Sequence, residues 1–153
     1  MKTTSFEISK KLKEAGFEAE TDFNWNTRTT YCGNTPKKVQ YFIKYNNGLK
    51  EGEEICKSYD LETPINALPD SITREYKSKE DGEVREFRET LKIDKYEIYY
   101  RCCDIETSDD ANRYFNEYGY MQEFSVYNFS NTGSLADTAG KMWLLLKDKG
   151  LVC

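Results

Sequence analysis

Residues 133–152, GSLADTAGKMWLLLKDKGLV, restrict the fold more than any other stretch of the chain. Their apolar side chains recur at the spacing of one helix face: Leu135, Ala139, Met142 and Leu146. Ser134 is placed to cap the first turn, and Gly150 follows the last turn, where a glycine commonly ends a helix. The unbroken apolar run, MWLLL, is much shorter than the roughly twenty residues of a membrane-spanning helix. The pattern therefore predicts a helix that lies on a protein core.

The N-terminal stretch TSFEISKKLKEAGF, residues 4–17, carries a second helical pattern. Its apolar face is formed by Phe6, Ile8, Leu12 and Ala15. Thr4 or Ser5 is placed to cap this helix, and Gly16 is placed to end it. The stretch lacks the apolar core of a secretory signal peptide, so we expect a cytoplasmic protein without a membrane segment.

Between the two helices the pattern changes to that of β-strands. Aromatic and β-branched residues in FEAETDFNWN (17–26) and VQYFIKYNNG (39–48) predict two strands that meet through the CGNTP loop, 32–36. An acidic turn, KEGEE (50–54), follows the second strand, and a short helix capped by Thr63 is expected next.

A highly charged hairpin is predicted over residues 72–91. Asp81-Gly82 is the strongest hairpin-turn signal in the chain, and the flanking arms alternate charges that can pair across the strands. Few apolar side chains remain to be buried, and a two-stranded ribbon without a packed face is marginal in water. We therefore expect the hairpin to project and to be fixed by a partner or a second subunit. Deleting residues 78–85 should leave the melting temperature nearly unchanged while weakening function.

Two further strands are predicted in KYEIYYRCCDI (95–105) and MQEFSVYNFSN (121–131), with a short helix at TSDDANRYFNEYG (107–119) between them. The chain shows no internal repeat and no linker. These elements predict a single α+β domain over residues 1–153. Its mainly antiparallel sheet of about five or six strands is expected to be covered by the N- and C-terminal helices.

The composition makes catalysis the less favoured class of function. The chain contains no histidine, which excludes Ser-His and Cys-His pairs, imidazole bases and histidine zinc sites. Its five cysteines show no paired spacing and are interpreted as free thiols, and we expect no metal and no cofactor. Acidic residues outnumber basic ones, 27 to 22, so direct nucleic-acid binding is not expected.

Two sets of residues are candidates for binding. The first would place carboxylates against a basic partner, at the hairpin tip and on the preceding acidic loop: Glu80, Asp81, Glu83, Glu86, Glu51, Glu53 and Glu54. The second would form an aromatic and arginine pocket for a nucleotide or another small molecule: Tyr96, Tyr100, Arg101, Arg74 and Arg88.

Three blocks of the sequence form a recognisable set: TSFEISKKLKEAGF, YDLETPINALP and SLADTAGKMWLLLKDKGLV. Together they resemble small uncharacterised proteins encoded by phages and prophages of intestinal bacteria. The resemblance covers about a third of the chain, leaves out the hairpin at 72–91, and carries no catalytic residues. It implies an accessory phage protein in the cytoplasm of a bacterial host, similar in size and charge to inhibitors of host defence such as anti-CRISPR proteins.

We accordingly expect a non-enzymatic protein that binds and inhibits or modulates a host protein. The host protein would itself bind nucleic acid, and the acidic surface of this chain would cover its basic surface. A nucleotide-binding protein, for example a sponge for a nucleotide signal, is the alternative, and a homodimer stays open.

Overall fold

A computed structural model of the chain describes residues 3–45, 52–77, 82–102, 124–128 and 134–153. The short helix predicted at 107–119 lies outside these residues. The three helices described are α1 (Phe6–Glu14), α2 (Glu62–Ala67) and α3 (Leu135–Asp148). The seven strands described are β1 (Phe23–Cys32), β2 (Thr35–Tyr45), β3 (Glu53–Ser58), β4 (Ser71–Lys77), β5 (Val84–Ile93), β6 (Glu97–Cys102) and β7 (Ser125–Tyr127).

The caps predicted for the two long helices are confirmed. The Ser5 hydroxyl accepts a hydrogen bond from the Ile8 amide at the start of α1, and the Ser134 hydroxyl accepts one from the Asp137 amide at the start of α3. Gly16 and Gly150 follow the helix ends with φ of 84° and 73°, in the left-handed region that glycine adopts without strain.

The strands form two antiparallel sheets, with the orders β2-β1-β3 and β4-β5-β6-β7. The α+β class and the antiparallel pairing are therefore confirmed. The strands are divided between a three-stranded and a four-stranded sheet, whereas the sequence pattern suggested one sheet of five or six. The strands form two sheets because the helices lie between them. Helix α1 packs against β3 of the first sheet and contacts α3, and α3 contacts β6 and β7 of the second sheet.

The core follows from this layering. Leu12 of α1 and Met142 and Leu146 of α3 are fully buried, as are Ile98 and Tyr100 of β6. The helices also approach each other closely, because a Cβ atom added at Gly140 would lie 2.8 Å from Cγ2 of Ile8. Burial of such side chains is the main source of the free energy of folding.

The hairpin predicted at 72–91 is formed by β4 and β5, which pair from Ser71↔Thr90 to Lys77↔Val84. A two-residue turn at Asp81-Gly82 would pair residue 80 with residue 83, and therefore residue 77 with residue 86. The structure pairs Lys77 with Val84, so the register is shifted by two residues. The register is fixed at the base of the hairpin, where the Leu91 amide donates to the Asp70 carbonyl and the Tyr100 hydroxyl donates to the Pro69 carbonyl.

No helix in the described part of the chain is long and apolar enough to cross a membrane.

Candidate interaction surface

Among the residues that the structure describes, the distal half of the β4–β5 hairpin extends beyond the neighbouring strand β6. β6 pairs only with residues Glu89–Ile93 of β5, whereas β4 pairs with β5 as far as Val84. Within the described residues, the pairs from Thr73↔Arg88 to Lys77↔Val84 therefore belong to a two-stranded ribbon. Such a ribbon is the part of the second sheet best placed to contact another molecule.

The observed register brings two carboxylates together on this ribbon. Glu75 lies directly opposite Glu86, and both are exposed. Side chains in directly opposite positions have Cβ atoms about 5 Å apart, and like charges there are destabilising. The two-residue turn would instead have placed Glu75 opposite Arg88. The exposed Glu83 follows near the tip, so three carboxylates lie on this ribbon among the basic residues Arg74, Lys77, Arg85 and Arg88.

A buried ion pair holds the base of the ribbon. Glu89 is 1% exposed, and its Oε1 lies 3.4 Å from Nη1 of Arg74, whose side chain is 18% exposed. The Arg74 guanidinium also lies 4.6 Å from the ring centre of Phe124, in a cation–π contact. The Glu89 carboxylate is shielded from water, and its contact with Arg74 links β4 to β5 at the base of the ribbon.

The other acidic candidates lie near the first sheet. Glu53 and Glu54 are exposed, but they begin strand β3, so their assignment to a loop was wrong. The reason is that β3 is stabilised by its pairing with β1, a contact between residues far apart in the chain. Glu51, Glu80 and Asp81 lie outside the described residues.

Glu54 also lines a cleft of about 550 Å³ between the end of α1 and β3, which the sequence did not predict. Two lysines of the cleft bind main-chain oxygens: Nζ of Lys13 lies 2.7 Å from the Ile55 carbonyl, and Nζ of Lys57 lies 3.2 Å from the Ala19 carbonyl. The floor includes Cys56 and Tyr59, and burial raises the pKa of the Cys56 thiol above its usual value and that of Tyr59 to about 12. Both floor groups are therefore neutral at physiological pH.

The structure separates the residues of the predicted aromatic and arginine pocket. Tyr100 is fully buried, and burial raises the pKa of its hydroxyl. Arg101 follows it on β6 and therefore points to the opposite face of the sheet. Arg88 lies on that same opposite face, because it is two residues from Thr90, which pairs with Arg101. Arg74 binds Glu89, and Tyr96 is exposed just before β6. These five side chains do not converge on one pocket.

Within the described ranges, no group of three or more cysteine and acidic side chains is arranged to hold a metal ion. No protein-family model, no curated protein and no solved structure matches this chain.

Proposed function

We propose that this protein is a non-enzymatic binding protein that covers a basic surface of another protein with the exposed carboxylates of the β4–β5 ribbon. The observation that carries the proposal is the placement of Glu75 opposite Glu86 on exposed strands. This pair opposes folding of the isolated hairpin, and lysine or arginine side chains of a partner would relieve the repulsion.

The anchor of the ribbon supports the same function. A binding element gains affinity when its shape is fixed before the partner arrives. The buried pair of Arg74 and Glu89 links β4 to β5 at the base of the ribbon, so the strands that carry Glu75 and Glu86 extend from a fixed point on the sheet. Glu53 and Glu54, exposed on β3, add to the net charge of −5 that would steer the protein toward a basic partner.

The resemblance to small phage and prophage proteins suggests the biological setting. In that setting the partner is a host protein with a nucleic-acid-binding surface, such as a component of a bacterial defence system of the CRISPR type. Binding would inhibit it by occupying the surface on which nucleic acid phosphates otherwise lie.

Nucleotide binding, the alternative function, has weaker support because its proposed residues lie on different faces of the second sheet. A ligand that binds the folded chain would raise the melting temperature. We therefore expect nucleotides to leave the melting temperature unchanged, and a clear increase with one of them would favour the alternative.

The proposed function is tested by capture from a bacterial lysate with the tagged wild-type chain, washed at increasing salt. Exposed charge pairs are screened when the Debye length falls from about 10 Å at 0.1 M to about 3 Å at 1 M salt. We expect a nucleic-acid-binding protein to be recovered at low salt and released at high salt. A partner that stays bound equally at both salt concentrations would contradict binding through the carboxylates of the ribbon.

A further inference from the structure

Strand β2 carries an exposed apolar stripe, which we define as Val39, Tyr41, Ile43 and Tyr45. Successive side chains of a strand alternate between faces, so these four share one face, and each is 42% to 54% exposed. Two of them contact aromatic neighbours. The ring centre of Tyr41 lies 4.5 Å from that of Phe6, and the ring centre of Tyr45 lies 5.6 Å from that of Phe23. A contiguous patch of this kind commonly marks an interaction site.

The stripe also lies on an edge strand, since β2 ends the order β2-β1-β3 in the part of the chain that the structure describes. At the opposite edge of this sheet, side chains outside it already engage main-chain oxygens of β3: Lys13 binds the Ile55 carbonyl and Thr21 binds the Ser58 carbonyl. On β2, proline and adjacent lysines, the residues that protect edges from pairing, occur at 36–38. Residues 39–45 contain one charged residue, Lys44, and no other strand of the described chain pairs with them on this side.

We propose that residues 39–45 bind a second copy of this chain, with the two β2 strands antiparallel about a two-fold axis at Phe42. In this register Val39 faces Tyr45 of the other copy, and Tyr41 faces Ile43. Each pair combines an aromatic with a β-branched side chain, a combination that stabilises antiparallel strands. The two-fold axis repeats both pairs, so the dimer contains four of them. On the other face Lys44 lies opposite Gln40, so no like charges meet.

Neighbouring registers lack this complementarity. A two-fold axis at Tyr41 would place Lys38 opposite Lys44, which is a like-charge pair. An axis at Gln40 would place Lys37 opposite Ile43 and would leave Tyr45 opposite Thr35. Of these three registers, the pairing centred on Phe42 is the one that combines apolar pairs along the stripe with no like-charge pair.

The size of the contact determines how tight the dimer is. Seven paired residues and four half-exposed side chains offer less than the roughly 800 Å² per partner of a stable interface. We therefore expect a reversible dimer with a Kd on the order of 10–100 μM. This association involves β2 and is separate from the proposed function of the β4–β5 ribbon.

Sedimentation velocity over protein concentrations from about 1 to 500 μM tests the proposal, because this range brackets the expected Kd. The wild-type chain should change from monomer to dimer over this range. Ile43→Lys, which places a charge opposite Tyr41, should weaken the dimer by about tenfold or more. Val84→Lys introduces the same charge at an exposed β-branched residue of β5 and should dimerise like the wild type.

Substitutions of Gln40 test the register and keep the proposal falsifiable if Ile43→Lys does not fold. Gln40→Glu places a carboxylate opposite Lys44 twice in the dimer and should tighten it by about two- to tenfold, whereas Gln40→Lys should weaken it by a similar factor. A wild-type chain that stays monomeric throughout would overturn the proposal, as would equal dimerisation by Gln40→Glu and Gln40→Lys. If the chain is monomeric but still captures a partner in a salt-sensitive way, the dimer proposal fails and the proposed function is unaffected.

Discussion

Tyr100 illustrates how one side chain takes part in both the core and the hairpin. Its ring is fully buried, and its hydroxyl donates a hydrogen bond of 2.7 Å to the Pro69 carbonyl just before β4. Burial disfavours the charged phenolate, so its pKa is raised in the folded chain above the usual value near 10. The sequence made the Tyr100 ring a candidate for ligand binding, and in the structure the ring is buried and the hydroxyl contacts the chain at the base of the hairpin.

We predict that Tyr100→Phe changes the alkaline stability profile. Because the folded-state pKa is raised, the stabilising contribution is fully present below pH 10 and is lost as the pH rises toward the folded-state pKa. Above pH 10 the wild-type free energy of unfolding should therefore fall by up to about 1.4 kcal/mol per pH unit more than that of Tyr100→Phe. Urea unfolding of both proteins from pH 7 to 11.5 measures this, and parallel profiles would contradict it.

A second prediction concerns the ion pair at the base of the ribbon. Arg74→Ala should lower the free energy of unfolding by about 3 kcal/mol, because it removes a partner of the buried Glu89 carboxylate and the contact with Phe124. Arg88→Ala, at an exposed position of β5, is the matched control and should change stability by about 0.5 kcal/mol or less. Urea unfolding at neutral pH checks both values. A loss for Arg74→Ala as small as that of the control would show that the pair does not anchor β4.

At the scale of elements, the contact of α1 with α3 depends on the absence of a side chain at Gly140. Alanine favours a helix over glycine by about 1 kcal/mol, but the added Cβ would lie 2.8 Å from Cγ2 of Ile8 and 3.4 Å from Cδ1 of Leu12. Overpacking of this kind typically costs 1–3 kcal/mol, so we predict that Gly140→Ala destabilises the chain by about 1 kcal/mol.

The same substitution should become stabilising when Ile8→Ala removes the methyl group that the new Cβ would meet. Unfolding of the wild type, the two single variants and the double variant gives the coupling energy between the two positions. A Gly140→Ala effect that is identical in both backgrounds would mean that the helices do not touch there.

The local signals of the sequence predict the helices but not their mutual placement. Ser5 and Ser134 cap their helices as expected because capping acts within one turn. By contrast, Asp137 accepts a hydrogen bond of 2.6 Å from the Ser5 amide and so links the two helix starts across the molecule. No spacing rule predicts a contact between residues so far apart in the chain.

The strands show the same limit. Alternation predicts β6, and the Asp81-Gly82 signal predicts that β4 and β5 form a hairpin, but the register depends on contacts of Asp70 and Pro69 at its base. The opposition of Glu75 and Glu86 follows from that register, which is why the sequence suggested complementary charges instead. Likewise, the position of β2 at an edge is a property of the sheet order and is invisible in the strand itself.

At the scale of the whole molecule, two surfaces point away from a shared core. The helices α1 and α3 occupy the space between the two sheets, which leaves the β2 edge on one sheet and the β4–β5 ribbon on the other. The first surface is apolar, and the second exposes the carboxylates of Glu75, Glu83 and Glu86. A dimer formed through β2 would carry two β4–β5 ribbons, and a partner with repeated binding sites would bind it with increased avidity.

The central claim, that the carboxylates of the β4–β5 ribbon bind a partner, is tested most directly by Glu86→Lys. The new lysine would lie opposite Glu75, so we predict a free energy of unfolding higher by about 0.2–1 kcal/mol together with a severalfold loss of the partner captured from lysate. Glu14→Lys makes the same charge change at an exposed position of α1 and should leave capture intact. Undiminished capture by Glu86→Lys, or an equal loss with Glu14→Lys, would contradict the assignment of this surface.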